Sequence, residues 1–229
     1  MRGRPASEDF RLLKCVLEVR YPKAHRYWDE CGQLISALEL RLPGLVCQRL
    51  AENGFQFTGT GASGLSSAVF YWDRAIAEHD SEVTSAKFAE RTSEFWSVVA
   101  QGLDIQETTR VGNRYWLFLR ADSATEAESW LESKPFWRFT DNDSAPWGQP
   151  LVTGSVLYAR DQSAGVSSRI ELGVGKVKAQ NEEHVGVVVD VDFKLLTPPT
   201  RAKLDVGSFL KKNERRLRDN LVSMLGGSA

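Results

Sequence analysis

The stretch Val185-Gly186-Val187-Val188-Val189-Asp190-Val191-Asp192-Phe193-Lys194-Leu195 decides the fold. Side chains alternate across an extended chain, so Val185, Val187, Val189, Val191, Phe193 and Leu195 share one side, while Gly186, Asp190, Asp192 and Lys194 take the other. That is a strand with one face in a core. Two further strand patterns, near 151–160 and 168–178, precede it with short links, and consecutive strands joined by short links pair antiparallel. Helical patterns elsewhere fall between runs of strands rather than after every strand. The fold class expected is therefore α+β: a mainly antiparallel sheet of about seven or eight strands, with three or four packing helices and a C-terminal amphipathic helix.

Working towards the amino terminus, Leu13, Cys15, Leu17, Val19 and Tyr21 alternate with Lys14, Val16, Glu18 and Arg20. This is a half-buried strand, ended by Pro22, which has no N–H for the ladder. A helix is expected near 24–40, where Trp28, Cys31, Leu34 or Ile35, and Leu38 recur at three- and four-residue steps before Pro43-Gly44. Residues 54–73 read as an aromatic hairpin around a glycine-rich turn, and 85–103 as a helix with Phe88, Phe95, Val99 and Leu103 on one side. A strand follows at 110–120. Ser123-Ala124-Thr125-Glu126 has the form of a capping box and should open a short helix through Ala127, Trp130 and Leu131, ended by Pro135. Residues 138–150 form the clearest loop, a division between two sub-halves of a single domain spanning 10–225, with 1–9 as a flexible terminus. The last helix, expected near 205–225, puts Val206, Leu210, Leu217, Leu221 and Met224 on one arc. Lys211, Lys212, Arg215, Arg216 and Arg218 fall on the opposite one. No internal repeat stands out.

Composition narrows the function classes. Hydrophobic content of 42% and charged content of 26% are those of an ordinary globular chain. The net charge of −1 argues against a dedicated nucleic-acid binder. It hides an asymmetry, because residues from Lys194 onward carry +5 and the rest carry −6. Cys15, Cys31 and Cys47 are odd in number and too far apart for a zinc ligand pair, which reads as reduced thiols in the cytoplasm. The amino terminus has no apolar core of a signal peptide, and no run approaches the roughly 18 apolar residues of a membrane span.

Several motifs invite chemistry. Gly59-Thr60-Gly61-Ala62-Ser63-Gly64 is a literal G-x-G-x-x-G, but a dinucleotide site needs it between a strand and a helix. Here a strand pattern follows, so a hairpin turn is the better reading. Asp190 and Asp192 lie on one face of their strand and form an alternative metal pair, against a solvated face with Lys194 beside them. His25, His79 and His184 fall in separate elements, and there is no G-x-S-x-G elbow. Arg110 and Arg114 share a strand face on either side of Gly112. They suit bidentate binding of a carboxylate or phosphate. The competing role is cross-strand pairing with acids such as Glu18 or Glu171. The basic arc of the last helix, with Lys211, Lys212, Arg215 and Arg218 as its binding candidates, exceeds what the helix dipole alone would favour.

Three segments carry a resemblance: Glu18-Val19-Arg20-Tyr21-Pro22, Arg110-Val111-Gly112-Asn113-Arg114-Tyr115, and the Val-rich strand with Asp190-Val191-Asp192 followed by a basic helix. With them the chain resembles a sporadically distributed, uncharacterised family of bacterial proteins of about this length, marked by an R-x-G-x-R-Y segment. The resemblance spans most of the chain and implies a fold and a bacterial origin, with no activity.

The expectation is a non-enzymatic binding or accessory protein that works through contacts with another protein. It requires no cofactor and no membrane, and nucleic acid is the less favoured partner. The alternative is a metal-dependent hydrolase or nuclease that uses Asp190 and Asp192, with Arg110 and Arg114 on a phosphate.

Overall fold

A computed structural model describes residues 10–50, 53–59, 64–80, 85–134, 154–179 and 182–224. The expected flexible terminus at 1–9 and the loop at 138–150 lie outside the described residues. The elements run β1 (Arg11–Arg20), α1 (Tyr27–Arg41), β2 (Leu45–Arg49), β3 (Phe55–Gly59), β4 (Ser67–Phe70), β5 (Arg74–Asp80) and α2 (Ser85–Gly102). Then come β6 (Arg110–Arg120), α3 (Ala124–Glu132), β7 (Gly154–Asp161), β8 (Val166–Ala179), β9 (Glu182–Leu195) and α4 (Val206–Met224). The fold is α+β, and among the described residues nine strands form one antiparallel sheet, slightly more than the expected seven or eight.

The strand order is β2-β3-β4-β5-β1-β6-β9-β8-β7. It exposes a repeat that the sequence conceals. Each half is a strand, a helix, a meander and a second helix: β1-α1-(β2 to β5)-α2, then β6-α3-(β7 to β9)-α4. In each half the first strand pairs with the last strand of its own meander, and the two first strands pair antiparallel with each other. The topology is that of a two-fold normal to the sheet, between β1 and β6.

The helices pack on one face. Tyr27 of α1 meets Phe70, Trp96 of α2 meets Tyr21, and Phe88 of α2 meets the ring of His79. Trp130 and Leu131 of α3 join Leu119, Leu172 and Val187 in the same core, and the Tyr115 hydroxyl donates to the Leu210 carbonyl of α4. Phe57, Phe70, Phe88 and Phe95 are almost wholly buried. Each contributes roughly 1.5–3 kcal/mol of transfer free energy.

Several local expectations shift by a residue. In α1 the buried stripe is Tyr27, Leu34 and Leu38, while Trp28 is 55% exposed. In β1 the pairing steps from Leu12↔Leu117 to Lys14↔Trp116, so Leu13 is bulged out of register and Leu12 takes the core side. At α3, Ser123 caps as expected and accepts from the Glu126 N–H at 3.1 Å, while the Glu126 carboxylate reaches back to the N–H of Asp122. Of the G-x-G-x-x-G motif, residues 60–63 lie outside the described residues. Gly59 ends β3 and donates to the Ser66 carbonyl just before β4, so the flanking elements are two strands.

Gly186 marks the tightest point of the β6–β9 seam. A Cβ there would stand 2.1 Å from the Leu119 carbonyl oxygen and 2.8 Å from the Phe118 ring, so backbone would have to move. Gly186→Ala should therefore lower stability by about 2 kcal/mol or more, as overpacking does. Gly32 in α1 has open space around its Cβ position. Gly32→Ala should raise stability by about 0.5–1 kcal/mol through helix propensity. Paired thermal melts of the two variants check this, and equal melting temperatures would contradict the seam geometry.

Candidate functional site

Among the described residues, one sheet face carries the helices and the other carries charge. Its central row runs from Val46 on β2 through Ser67, Glu78, Val16, Arg114 and Asp192 to Tyr158 on β7, fixed by the register of every strand pair. Val46 is 70% exposed and Tyr158 is 78% exposed, so large apolar groups stand at both ends of the row.

Arg110 and Arg114, singled out from sequence, sit at the centre of this face. Arg114 donates from Nε to Asp190 Oδ1 at 2.8 Å and from Nη2 to Asp190 Oδ2, a bidentate pair with β9. It reaches diagonally, since its direct opposite is Asp192. The pair raises the Arg114 pKa further, chiefly through that hydrogen bond. The guanidinium also lies 4.4 Å from the centre of the Trp116 ring, within cation–π range. Arg110 folds back over Gly112, with its Nε 3.5 Å from where a Gly112 Cβ would stand. From there it bridges Glu18 of β1 at 3.6 Å and Asp192 of β9 at 3.4 Å. The gap left by the glycine is thus filled by the arginine of its own strand.

The cross-strand role predominates, and Glu18 is one of its acids. Glu171, the other sequence candidate, instead engages Arg169 of its own strand at 2.6 Å. With Lys14–Glu78 and Arg20–Glu18, five cations and five carboxylates form a ladder from β5 to β8. Asp190 and Asp192 are therefore occupied by guanidiniums. Among the described residues no group of three or more His, Cys, Asp or Glu is placed to hold a metal ion. Between the rungs lies a shallow groove of about 360 Å³, floored by Val16, Ile76 and Gly112 and walled by Arg20, Arg110, Arg114 and Trp116. Sequence reasoning missed Trp116, although it lies two residues beyond Arg114 on the same strand face.

The three segments behind the family resemblance fall on β1, β6 and β9, which are consecutive in the sheet. Compared with known proteins, the chain matches no family model and no curated protein sequence. No helix among the described residues is long and apolar enough to cross a membrane.

The basic arc of α4 is a separate surface. Lys211, Lys212, Arg215 and Arg218 are exposed, on the side away from the buried Val206, Phe209, Leu210 and Leu217. Arg218 pairs with Glu214 at 2.9 Å and Arg216 with Asp161 at 3.6 Å. The three cysteines are free thiols, and burial pushes the Cys15 thiol up to about 12.

Desolvation raises the Asp192 carboxyl above its ordinary value, outweighing the nearby Arg110 and Arg114. A raised folded-state pKa means that ionised Asp192 costs stability at neutral pH, and that this cost vanishes as pH falls through the carboxylate range. Asp192→Asn should therefore be neutral or stabilising at pH 7, with its advantage over wild type shrinking towards acid. Asp190→Asn breaks a bidentate pair and should cost about 1–2 kcal/mol, allowing for the partial exposure of Arg114. Melts of both variants across the acid-to-neutral range test this, and equal destabilisation by both would overturn the distinction.

Proposed function

We propose that the chain is a non-enzymatic binding or accessory protein and that the helix-free sheet face docks a partner protein. The observation that carries this reading is the ion-pair ladder on that face, held in register between exposed apolar groups. Its charges balance, so it exerts little long-range pull on a polyanion and suits a partner surface with its own mixture of charged and apolar groups. A sheet face is rigid, and the side chains of the ladder are ordered by one another before contact, which lowers the entropy lost on docking. Trp116, stacked under Arg114, is the type of residue on which binding energy concentrates. The hydrolase alternative has less support, because its two carboxylates are already neutralised by arginines. Membership of the sporadically distributed bacterial family is part of the same proposal, and rests on the segments of β1, β6 and β9.

The test is affinity capture from the native host with nuclease treatment, using the wild type and two folded variants. One carries Val46→Glu, Arg20→Glu and Tyr158→Ala on the open face. The other carries Lys211→Glu, Lys212→Glu and Arg215→Glu on α4. The expected result is a stoichiometric protein partner that survives nuclease, is lost with the open-face variant and remains with the α4 variant. Retention by the open-face variant together with loss from the α4 variant would transfer the interface to the helix and overturn the docking reading.

A further inference from the structure

A second concavity lies on the other side of the molecule from the ladder's central rungs. It is a groove of about 650 Å³ bounded by the β7–β8 turn, the segment from Leu195 to Asp205, and the first turns of α4. Its size is that of a small-molecule site. We propose that this groove binds a small, multiply charged phosphate compound.

Three observations carry the assignment. The first is charge. Lys203, Lys212, Arg215 and Arg216 line the groove. Among the described residues only Arg216 has an ion-pair partner within 4.0 Å, so the other three positive charges remain available. The second is the state of the two acids nearby. Asp161 accepts from the Ser163 hydroxyl and the Ala164 N–H, and Asp205 accepts from both the N–H and the hydroxyl of Ser208. These bonds hold both carboxyls below their ordinary values and tie them into a turn and a helix cap. They therefore frame the groove without filling it.

The third observation is Asn213. It lines the groove, its relative exposure is 0%, and neither its Nδ2 nor its Oδ1 has a hydrogen-bond partner among the described residues. Leaving a buried carboxamide unsatisfied is costly, and such groups in native proteins call for an explanation. Its place on α4 sharpens the point. Asn213 occupies the apolar stripe between Leu210 and Leu217, where a leucine would pack at no such cost. Both amide atoms are closed to solvent in this structure, so the proposal requires the groove wall to part for a phosphate oxygen to accept from Nδ2, or for a protonated phosphate oxygen or water to donate to Oδ1.

The geometry favours a compact ligand over a nucleic-acid backbone. Asp205 lines the groove and Asp161 pairs with Arg216 at its edge, so acidic groups bound the positive charge of the groove itself. The lining contains Phe209 as its only aromatic residue, and that side chain is buried, so it offers no stacking platform for bases.

The experiment is titration of the full chain with inorganic pyrophosphate, read by calorimetry and thermal shift, with sulfate at matched ionic strength as control. Wild type should bind pyrophosphate and gain melting temperature, while sulfate gives little. Lys212→Ala with Arg215→Ala changes only exposed side chains and should weaken binding by about ten-fold or more through the loss of charge-assisted bonds. Asn213→Leu should melt at or above the wild-type temperature and still lose affinity by roughly five- to ten-fold. The absence of pyrophosphate binding, or binding unchanged in the double variant, overturns the proposal. Unchanged binding in Asn213→Leu removes Asn213 from the site and with it the third argument. A single-stranded oligonucleotide that binds, and loses affinity in the double variant, where pyrophosphate does not bind, overturns the proposal in favour of a nucleic-acid surface.

Discussion

The pairing of β1 with β6 is the contact on which the rest of the structure depends. Even its least separated pair, Arg20 and Arg110, is distant in sequence, so its loop must close before the pairing yields any stabilisation. Without it the sheet falls into two meanders, each with an open edge. The seam is stabilised by Leu17, Val19, Val111 and Tyr115 on the helix side, all buried. It is also marked by a polar group. Asn113, wholly buried at the centre, donates to the Val16 carbonyl at 3.1 Å and lies 3.3 Å from the Cys15 sulfur. A slip of one residue would turn the apolar set to the bare face and strand that amide. Asn113 thus fixes the register more than it adds stability, in the manner of single polar residues in otherwise apolar seams.

The same register builds the charged face. The alternation that sends Val189 and Val191 into the core sends Asp190 and Asp192 outward, directly opposite Trp116 and Arg114 of β6. The face is crowded with charge, yet it is not uniformly stabilised by it. Asp190 is held by two hydrogen bonds from one guanidinium, whereas Asp192 faces two guanidiniums at longer range and pays the desolvation of a half-buried position. A ladder whose rungs do not all favour folding is not explained by stability alone, which is what the proposed docking role would account for.

What the sequence displayed and what it hid follow from physical range. Period-two and helical patterns are local, so β1, β6, β9 and all four helices could be read directly. β5 could not, because its core side is Ala75, Ala77 and His79, a pattern with little hydrophobic contrast that suits close packing of α2. β2 is a five-residue edge strand in which only Leu45 is buried, and its pattern is correspondingly weak. The repeated topology was invisible for a different reason. It lies in pairings between distant strands, while the two halves differ in meander length and in residues. For the site, Arg114, Arg110 and the Glu18 partner of Arg110 were legible from strand parity. That Asp190 and Asp192 serve the same arginines was not, because it requires knowing that β9 lies beside β6.

Asn213 was legible in principle. The helix period puts it on the apolar stripe of α4, so an amide there is a departure that asks for a partner. That departure gains meaning from how α4 is held. Its buried side is anchored to the sheet through the Tyr115 hydroxyl on the Leu210 carbonyl, and its outer side to the β7–β8 turn through Arg216 and Asp161. Between those anchors the helix has little freedom to rotate Asn213 towards solvent. Among the described residues the fold therefore maintains an amide without a hydrogen-bond partner beside three cations without an ion pair, at one end of a sheet whose opposite face is electrically balanced. The proposed docking face thus draws on both halves of the repeat, with rungs on β1, β5, β6, β8 and β9, whereas the proposed anion groove is built from the second half alone.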